Sequence, residues 1–226
     1  MRAHFDQLGY ALAPDVLSPA ECARLGELVQ PVASASGGTR CLLSQPWCAA
    51  LATRLRAEPA LAACLDPDAL AVQCTYFEKS AGRNWLVPMH QDLSIPVAAR
   101  VDAPALRGWS VKEGAVFVQA PPALLRELVA VRVHLDPCSA GDGPLVVVPG
   151  SHRAGVIAPA DLPAARAVAP AVACIAGVGG ALVMRPLLLH ASSKALGQSR
   201  RRVLHFVFGP RTLPHGLEWN VAVQSD

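Results

Sequence analysis

The sequence predicts a mainly β fold, a sandwich or a barrel, with flanking helices. Two short helical segments come first, and many short apolar segments separated by Gly- and Pro-containing turns follow them. A length of 226 residues suits one domain, and a hydrophobic content of 52% is enough for a large buried core. We therefore expect a single domain, residues 1–226, in which a helical N-terminal buttress (1–66) supports a β core (70–210).

Charge and composition exclude several classes of partner. A net charge of +3 is too small to indicate nucleic acid or an anionic membrane surface. No apolar run reaches the length of a membrane span, and the first residues lack the apolar core of a signal peptide. Seven cysteines form an odd set without a C-x-x-C pair, which favours reduced thiols. We expect a cytoplasmic protein, and the oligomeric state is not indicated.

The N-terminal helices have recognisable start and stop signals. Residues 18–21 (Ser-Pro-Ala-Glu) combine an N-cap serine, a proline at the first helical position and a capping-box glutamate. This helix should end near Pro31, and the small polar residues 33–40 predict a loop. The Ala- and Leu-rich segment 46–65 predicts one helix, or two that are broken at Pro59.

The strands follow from residue 70 onwards. Segment 85–97 should be extended, because its prolines argue against a helix. Segment 98–128 is less regular and is a candidate lid or substrate loop, and 153–170 is a second loop. Runs rich in β-branched and apolar residues predict strands at 70–79, 129–135, 144–148, 181–184, 187–190 and 202–208.

An imidazole and a carboxylate stand two residues apart at His90 and Asp92. On an extended strand such residues point to the same face, so that a ring nitrogen and a carboxylate oxygen can meet at one point. This pair is half of the 2-His-1-carboxylate set that binds Fe(II). His190, at the end of the apolar run 187–190, is the candidate second imidazole. The alternative for His190 is a buried histidine with satisfied hydrogen bonds in the core.

Arg201 is the candidate anchor for an acidic cosubstrate. It lies eleven residues beyond His190, at the start of the last predicted strand. A buried arginine can hold a carboxylate in a bidentate pair. Strand alternation places Arg201 on one face and both Arg200 and Arg202 on the other, so only one of these faces can look inward. His205 shares the face of Arg201.

At this point the sequence resembles the phytanoyl-CoA dioxygenase-like Fe(II)/2-oxoglutarate oxygenases. The resemblance covers most of the chain and rests on blocks that occur in the family's order. The blocks are Phe5-Asp6-Gln7-Leu8-Gly9-Tyr10 with Leu17-Ser18-Pro19-Ala20-Glu21, then His90-Gln91-Asp92, then Asp142-Gly143-Pro144-Leu145 through Pro149-Gly150-Ser151-His152, and finally His190-Ala191-Ser192 with Arg201.

The resemblance implies a double-stranded β-helix, a cupin-like jelly-roll barrel with Fe(II) at one mouth. It implies that His90, Asp92 and His190 are the metal ligands and catalytic centre. It also implies that Arg201 binds the distal carboxylate of 2-oxoglutarate with help from Ser192, and that O₂ is the oxidant. A carboxylate at position 92 favours oxidation such as hydroxylation over halogenation, because related halogenases carry a small residue there.

Further cosubstrate contacts are implied less directly. Gln73 and Lys79 stand at offsets similar to those of a Gln and a Lys in the related ectoine hydroxylase, and either touch cosubstrate or substrate or are ordinary polar strand residues. Arg132, where many family members have Trp or another residue, either helps to bind a carboxylate or pairs with an acid. His134 and His205 are expected in the core or behind the metal ligands.

The expected activity is Fe(II)- and 2-oxoglutarate-dependent hydroxylation of an unactivated C–H bond in a small molecule, with release of succinate and CO₂. The alternative is a non-catalytic, cupin-like module that only binds a metal or ligand. The substrate is expected to face the residues Asn84, Trp85, Trp109 and Gln119, although a tryptophan in such a segment can equally be part of the packing.

Overall fold

The computed structural model describes residues 1–33, 38–197 and 199–224. The helices are α1 (Arg2–Leu8), α2 (Pro19–Val29), α3 (Pro46–Ala57), α4 (Pro59–Ala62), α5 (Pro122–Glu127) and α6 (Leu162–Arg166). The strands are β1 (Tyr10–Ala13), β2 (Gly38–Thr39), β3 (Leu70–Lys79), β4 (Val87–His90), β5 (Ser94–Val97), β6 (Arg107–Lys112), β7 (Ala115–Gln119), β8 (Val129–His134), β9 (Leu145–Val147), β10 (Val172–Cys174), β11 (Ala181–Met184), β12 (His190–Ser192) and β13 (Arg201–Gly209).

The strands form antiparallel sheets, which confirms the mainly β class with flanking helices. A six-stranded sheet has the order β1-β11-β8-β13-β3-β2, and a four-stranded sheet has the order β10-β9-β12-β4. Strands β5, β7 and β6 form a smaller three-stranded sheet. No helix within the described ranges combines the length and apolar character that a membrane crossing needs.

Alternation along the central strand β8 shows how the layers are arranged. Val129, Val131 and Val133 pack in a core with the N-terminal helices, on one face of the six-stranded sheet. Ala130 packs on the other face against residues of the four-stranded sheet, and Arg132 lines a cavity there. We infer that the helices and sheets form one domain, because the helices and the six-stranded sheet share a continuous apolar core.

Helix α2 confirms the predicted start. The hydroxyl of Ser18 accepts a hydrogen bond from the Glu21 N–H at 3.3 Å, and the Glu21 carboxylate accepts one from the Ser18 N–H at 2.8 Å. Of the two predictions for residues 46–65, the structure has two helices, α3 and α4, which are separated at Glu58 before Pro59. Proline restricts the preceding residue to extended angles, which ends the first helix.

Replacing Ser18 by alanine should lower the free energy of unfolding by about 1 kcal/mol, because an N–H at the start of α2 loses its acceptor. Urea denaturation of the variant and the wild type measures the difference. Ser18→Asn is the matched control, since asparagine caps equally well and should leave stability nearly unchanged. Equal losses in the two variants would show that the cap does not contribute.

Several short elements differ from the prediction. Residues 4–17 contain α1 and β1, where only a short apolar stretch was expected, and Gly9 ends α1 in a left-handed conformation with φ 80°. Within the expected loop 33–40, residues 38–39 form β2, and residues 34–37 lie outside the described chain. The expected loop 153–170 contains α6. These elements are too short for periodicity to reveal them.

The expected irregular segment 98–128 is instead partly a β-hairpin and a helix. Strands β6 and β7 pair across Glu113 and Gly114, whose φ angles of 51° and 82° are typical of a tight two-residue turn. Helix α5 follows. This hairpin was not predicted, because its turn has glutamate at a position that normally favours Gly, Asn or Asp.

The predicted apolar strand 187–190 is wrong in its first three residues. Leu187, Leu188 and Leu189 are all buried, but they form a turn in which the Leu188 N–H bonds the Arg185 carbonyl at 2.9 Å. His190 therefore begins strand β12 and does not end an earlier one. A short apolar run cannot by itself distinguish a buried turn from a buried strand.

Candidate metal centre and anion pocket

A cavity of about 550 Å³ lies between the six-stranded and four-stranded sheets. One wall carries side chains of β3, β8 and β13, and the other carries those of β4 and β12, while β6 and β7 contribute at a third side. Its volume is in the range of small-molecule sites. The cavity is the place where the predicted site residues can be compared.

Three predicted ligands converge on one point of this cavity. The Nε2 atoms of His90 and His190 each lie 3.6 Å from a carboxylate oxygen of Asp92. One potential ligand atom from each residue lies within 4.8 Å of the other two. The side chain of His190 is almost fully buried, whereas Asp92 and His90 are partly open to the cavity.

Strand pairing explains why residues so distant in sequence meet. His190 on β12 is the direct register partner of His90 on β4, so the two imidazoles stand side by side. The rings lie 4.2 Å apart between centroids. Asp92 lies just beyond the end of β4, where its N–H bonds the Pro186 carbonyl at 2.9 Å. The turn before β12 thus positions the carboxylate.

Hydrogen bonds to the backbone orient both histidines. Nδ1 of His90 lies 2.8 Å from the Pro88 carbonyl, and Nδ1 of His190 lies 2.8 Å from the Leu188 carbonyl. Because a carbonyl oxygen only accepts hydrogen bonds, each Nδ1 must carry the proton. Each Nε2 is then left with a free lone pair that faces Asp92, which is the arrangement found in metal-binding histidines.

The ionisation states also suit a cation. Burial raises the pKa of Asp92, but His190, His90 and His205 outweigh this effect and hold it well below its usual range. Burial lowers the pKa of His190. For His90, burial also lowers the pKa, but the hydrogen bond and charge of Asp92, together with backbone hydrogen bonds to Pro88 and His190, outweigh burial and raise the pKa. Two imidazoles and one carboxylate are the facial donor set of non-haem Fe(II) sites, so these residues fit that metal.

A second cluster forms an anion pocket around Lys79, Ser192 and Arg201. Lys79 on β3 is the register partner of Arg201 on β13. The Lys79 Nζ donates to the Ser192 hydroxyl at 2.6 Å and to the Ser193 carbonyl. Both the Ser192 hydroxyl and the Arg201 guanidinium donate to the Gly143 carbonyl. Gly143 has φ 62°, and a Cβ there would meet the Ser193 carbonyl at 2.4 Å, so the turn needs glycine.

The anion pocket and its neighbour Arg132 hold buried positive charge without a matching acid. Lys79, Arg132 and Arg201 are 1%, 6% and 3% exposed. Within the described ranges, no Asp or Glu carboxylate lies within 4.0 Å of any of them. Burial, then Arg201 and Arg132, lower the pKa of Lys79 to about 8. The Nε atoms of Arg132 and Arg201 are buried without a hydrogen-bond partner. This arrangement fits an anion from outside the chain.

The other two arginines of the run 200–202 behave as alternation predicts. Arg202 points away from the cavity and forms a bidentate pair with Asp136 at 2.7 and 2.8 Å. Arg200 is exposed and pairs with Glu78. Arg201 alone faces the cavity, on the same side as His205.

The four residues expected to face a substrate separate into two pairs. Trp85 and Gln119 line the cavity. The amide of Asn84 instead bonds both the carbonyl and the N–H of Ala195, at 2.7 and 2.8 Å, and joins two loops. Trp109 is half-buried and packs against the core of the three-stranded sheet, with the Arg100 guanidinium 5.5 Å from its ring centre.

Gln73 also lines the cavity, but at a distance from the anion pocket. It lies six residues before Lys79 on β3, about 20 Å along the strand at 3.3 Å per residue. Its side chain donates to the Thr75 hydroxyl at 3.1 Å. Gln73 therefore stands at the end of the cavity away from Arg201.

Two residues to which the sequence assigned no specific role, His205 and Gln91, lie at the candidate metal centre. His205 lies beside the metal centre, with its Nε2 4.0 Å from the Asp92 carboxylate, and burial lowers its pKa to about 4. Gln91, between two ligands, bonds the Leu187 and Gly155 carbonyls at 2.6 and 2.8 Å and thus holds a turn and a loop at the site. For His205, the available sequence signal was the strand face that it shares with Arg201. No sequence signal identified Gln91.

One protein-family model matches most of the chain. The family model described as Phytanoyl-CoA dioxygenase (PhyH) matches residues 5–203. No curated protein matches the chain.

Several solved structures share the fold. EctD from S. alaskensis in its apo form is 21% identical and has a TM-score of 0.69, with 97% of this chain and 81% of that chain covered. The non-heme alpha ketoglutarate dependent epimerase SnoN from nogalamycin biosynthesis is 17% identical, with a TM-score of 0.66 and coverage of 95% and 84%. HygX from Streptomyces hygroscopicus, with nickel and 2-oxoglutarate bound, is 17% identical, with a TM-score of 0.64 and coverage of 93% and 87%. These similarities confirm a fold of the jelly-roll type.

Proposed function

Since the chain belongs to the phytanoyl-CoA dioxygenase family of non-haem Fe(II)- and 2-oxoglutarate-dependent oxygenases, we propose that it hydroxylates an unactivated C–H bond of a small molecule. The observation that supports this most directly is the convergence of His90, Asp92 and His190 in a cavity that also contains the anion pocket. A dicarboxylate cosubstrate needs a metal at one end and a cation at the other, and both are available in one space.

The side chains have separate tasks in this proposal. His90, Asp92 and His190 hold Fe(II) through two Nε2 atoms and a carboxylate oxygen. Arg201 and Lys79 bind the distal carboxylate of 2-oxoglutarate, because they are buried, unpaired with any described acid and adjacent in register. Bound Fe(II) and 2-oxoglutarate supply the activation of O₂ that side chains lack, and succinate and CO₂ are the coproducts.

The substrate side of the cavity lies opposite the anion pocket. We assign Gln73 and Gln119 to it, since Gln73 lines the cavity away from Arg201 and Gln119 is an exposed residue of the lining. Trp85 also lines the cavity but lies next to the anion pocket, with its ring centre 5.6 Å from the Lys79 Nζ. Asn84 and Trp109 are left out, because the Asn84 amide is hydrogen-bonded to Ala195 and Trp109 packs against the core of the three-stranded sheet, outside the cavity lining. Side-chain amides and aromatic rings indicate a substrate that is recognised by hydrogen bonds and stacking.

The experiment must separate turnover from binding. Under anaerobic conditions, Fe(II) and 2-oxoglutarate should produce a weak visible charge-transfer absorption, and exposure to air should then release succinate. A screen of small molecules for faster succinate release and for a product 16 mass units heavier tests hydroxylation. Absorption without succinate would support the non-catalytic module, and a product of unchanged mass would contradict hydroxylation.

The charge of Lys79 predicts a pH dependence for cosubstrate binding. Burial, with Arg201 and Arg132 nearby, lowers the pKa of Lys79 to about 8 in the empty site, whereas a bound carboxylate would raise it. The affinity for 2-oxoglutarate should therefore be greatest below pH 8 and fall as the pH rises through that value. Titration calorimetry from pH 6.5 to 9.5 measures this fall.

Lys79→Met is the control for that profile. It should bind 2-oxoglutarate more weakly at every pH and show no fall near pH 8, since the titrating group has been removed. A wild-type profile that is flat across pH 8, or a variant profile that keeps the fall, would show that Lys79 is not the responsible group.

The cysteines support a reducing, cytoplasmic setting as part of the proposal. All seven are free thiols, and six are buried, including Cys48 and Cys74 in the core shared with the helices. Thiol titration of protein isolated under non-reducing conditions and then denatured should give seven reactive groups. Fewer than seven would indicate a disulfide and a different compartment.

A further inference from the structure

Arg132 is a buried cation that contacts no carboxylate of the described chain. Its side chain is 6% exposed, its Nε has no hydrogen-bond partner, and no carboxylate in the described ranges lies within 4.0 Å. Its guanidinium carbon lies 5.4 Å from the ring centre of Phe77. Because an unpaired buried charge is costly, an anion that enters the cavity is the natural partner.

Strand register gives the level of Arg132 within the cavity. Arg132 is the direct partner of His205, which lies 4.0 Å from the Asp92 carboxylate. Arg201 lies four residues before His205 on β13, about 13 Å along the strand. The backbone of Arg132 is thus level with the metal centre and not with the anion pocket.

The guanidinium extends from this level toward the anion pocket. Phe77, over which it lies, pairs with Val203, and Val203 is midway between His205 and Arg201 on β13. Arg132 therefore faces the space that separates the metal ligands from the distal cluster of Arg201 and Lys79.

The cosubstrate 2-oxoglutarate has two carboxylates that the buried cations of the cavity could bind. 2-Oxoglutarate carries one at its distal end and one beside the oxo group, at the end that chelates a metal. Arg201, Lys79 and Ser192 suffice for the distal carboxylate. We infer that Arg132 binds the metal-end carboxylate of 2-oxoglutarate and orients it, a step that rests on the proposed function. Its unpaired Nε and the adjacent terminal nitrogens are suited to such a planar group.

The test uses three probes on Co(II)-loaded protein without O₂, with binding measured by titration calorimetry. Oxalate resembles the metal end and lacks the distal carboxylate, butyrate keeps the distal carboxylate but lacks the oxo group and the metal-end carboxylate, and 2-oxoglutarate has both ends. Arg132→Gln should weaken oxalate and 2-oxoglutarate binding by about tenfold or more, as the loss of a charged hydrogen bond predicts, and leave butyrate binding within about twofold.

Arg201→Gln is the matched comparison and should show the reverse pattern, with butyrate binding weakened and oxalate binding nearly unchanged. If Arg132→Gln binds oxalate as tightly as the wild type does, the inference is overturned. Arg132 would then serve the distal carboxylate, a substrate or only the stability of the fold. If the wild type binds none of the three probes, the proposed function itself fails.

Arg132→Lys is a second variant that separates a loss of binding from a failure to fold. It retains the positive charge but not the planar pair of donors, so oxalate affinity should lie between those of the wild type and Arg132→Gln. Thermal melting and bound Co(II) per protein should match the wild type in both variants. If the folded lysine variant keeps full oxalate affinity and the glutamine variant loses it, the result would still support a charge contact between Arg132 and the carboxylate. If both variants lose bound Co(II), Arg132 would belong to the metal site and the inference would be overturned.

Discussion

Replacing Asp92 by alanine should weaken Fe(II) binding by on the order of 100-fold or more and abolish succinate release. Within the described residues, Asp92 is the only acidic side chain that lines the cavity. Without it, a divalent cation would meet imidazoles and the positive charges of Lys79, Arg132 and Arg201, with no anionic ligand. The strength of the effect follows from this charge imbalance.

Metal titration of the apo protein and quantification of succinate measure the two consequences. The side chain of Asp92 is 42% exposed, so its removal leaves no hole in the apolar core, and the variant should melt close to the wild type in the absence of metal. Asp102→Ala, at an exposed carboxylate outside the cavity, is the matched control and should retain both properties. Similar metal affinity in the Asp92 and Asp102 variants would remove the basis for the metal centre.

Replacing Arg201 by glutamine should weaken 2-oxoglutarate binding by about 10- to 100-fold, since hydrogen bonds between a guanidinium and a carboxylate are among the stronger ones in proteins. The Arg201 side chain is buried beside Lys79 and Ser192, where little water competes for the carboxylate. Metal affinity should remain close to that of the wild type, because Arg201 contacts none of the three ligands.

The run of three arginines provides a control for this prediction. Arg200→Gln removes the same charge one residue away, but Arg200 is exposed and pairs with Glu78. Surface pairs of this kind contribute little, so 2-oxoglutarate affinity should not change measurably. Calorimetry with the metal-loaded proteins compares the variants. An equal loss in both would mean that general positive charge, and not a specific contact, attracts the cosubstrate.

Strand alternation and capping chemistry predicted individual side chains better than periodicity predicted the short elements around them. Strand alternation alone identified Arg201 as the arginine that shares a face with His205, and the structure places both at the cavity. Capping chemistry predicted the start of α2 at Ser18. Such features depend on neighbours within a few residues, and local backbone geometry is sufficient to determine them.

Other residues could not be assigned without the tertiary structure. Asn84 and Trp109 lie in segments near the site in sequence, yet one joins two loops and the other packs in a core. For Arg132 the sequence allowed either a carboxylate ligand or an acidic partner. Only the arrangement of distant strands shows that no described acid is near enough to pair with it.

By itself, the sequence determined the mainly β class, the helical N-terminal region, a candidate set of metal-binding residues and the face that Arg201 shares with His205. These follow from periodicity, caps and short motifs, whose physics is local. The tertiary structure decided which side chains meet. The pairing of His90 with His190, and the separation of the metal centre from the anion pocket, are set by strand register between segments about 100 residues apart. That register is the outcome of packing the whole core, to which every buried residue contributes.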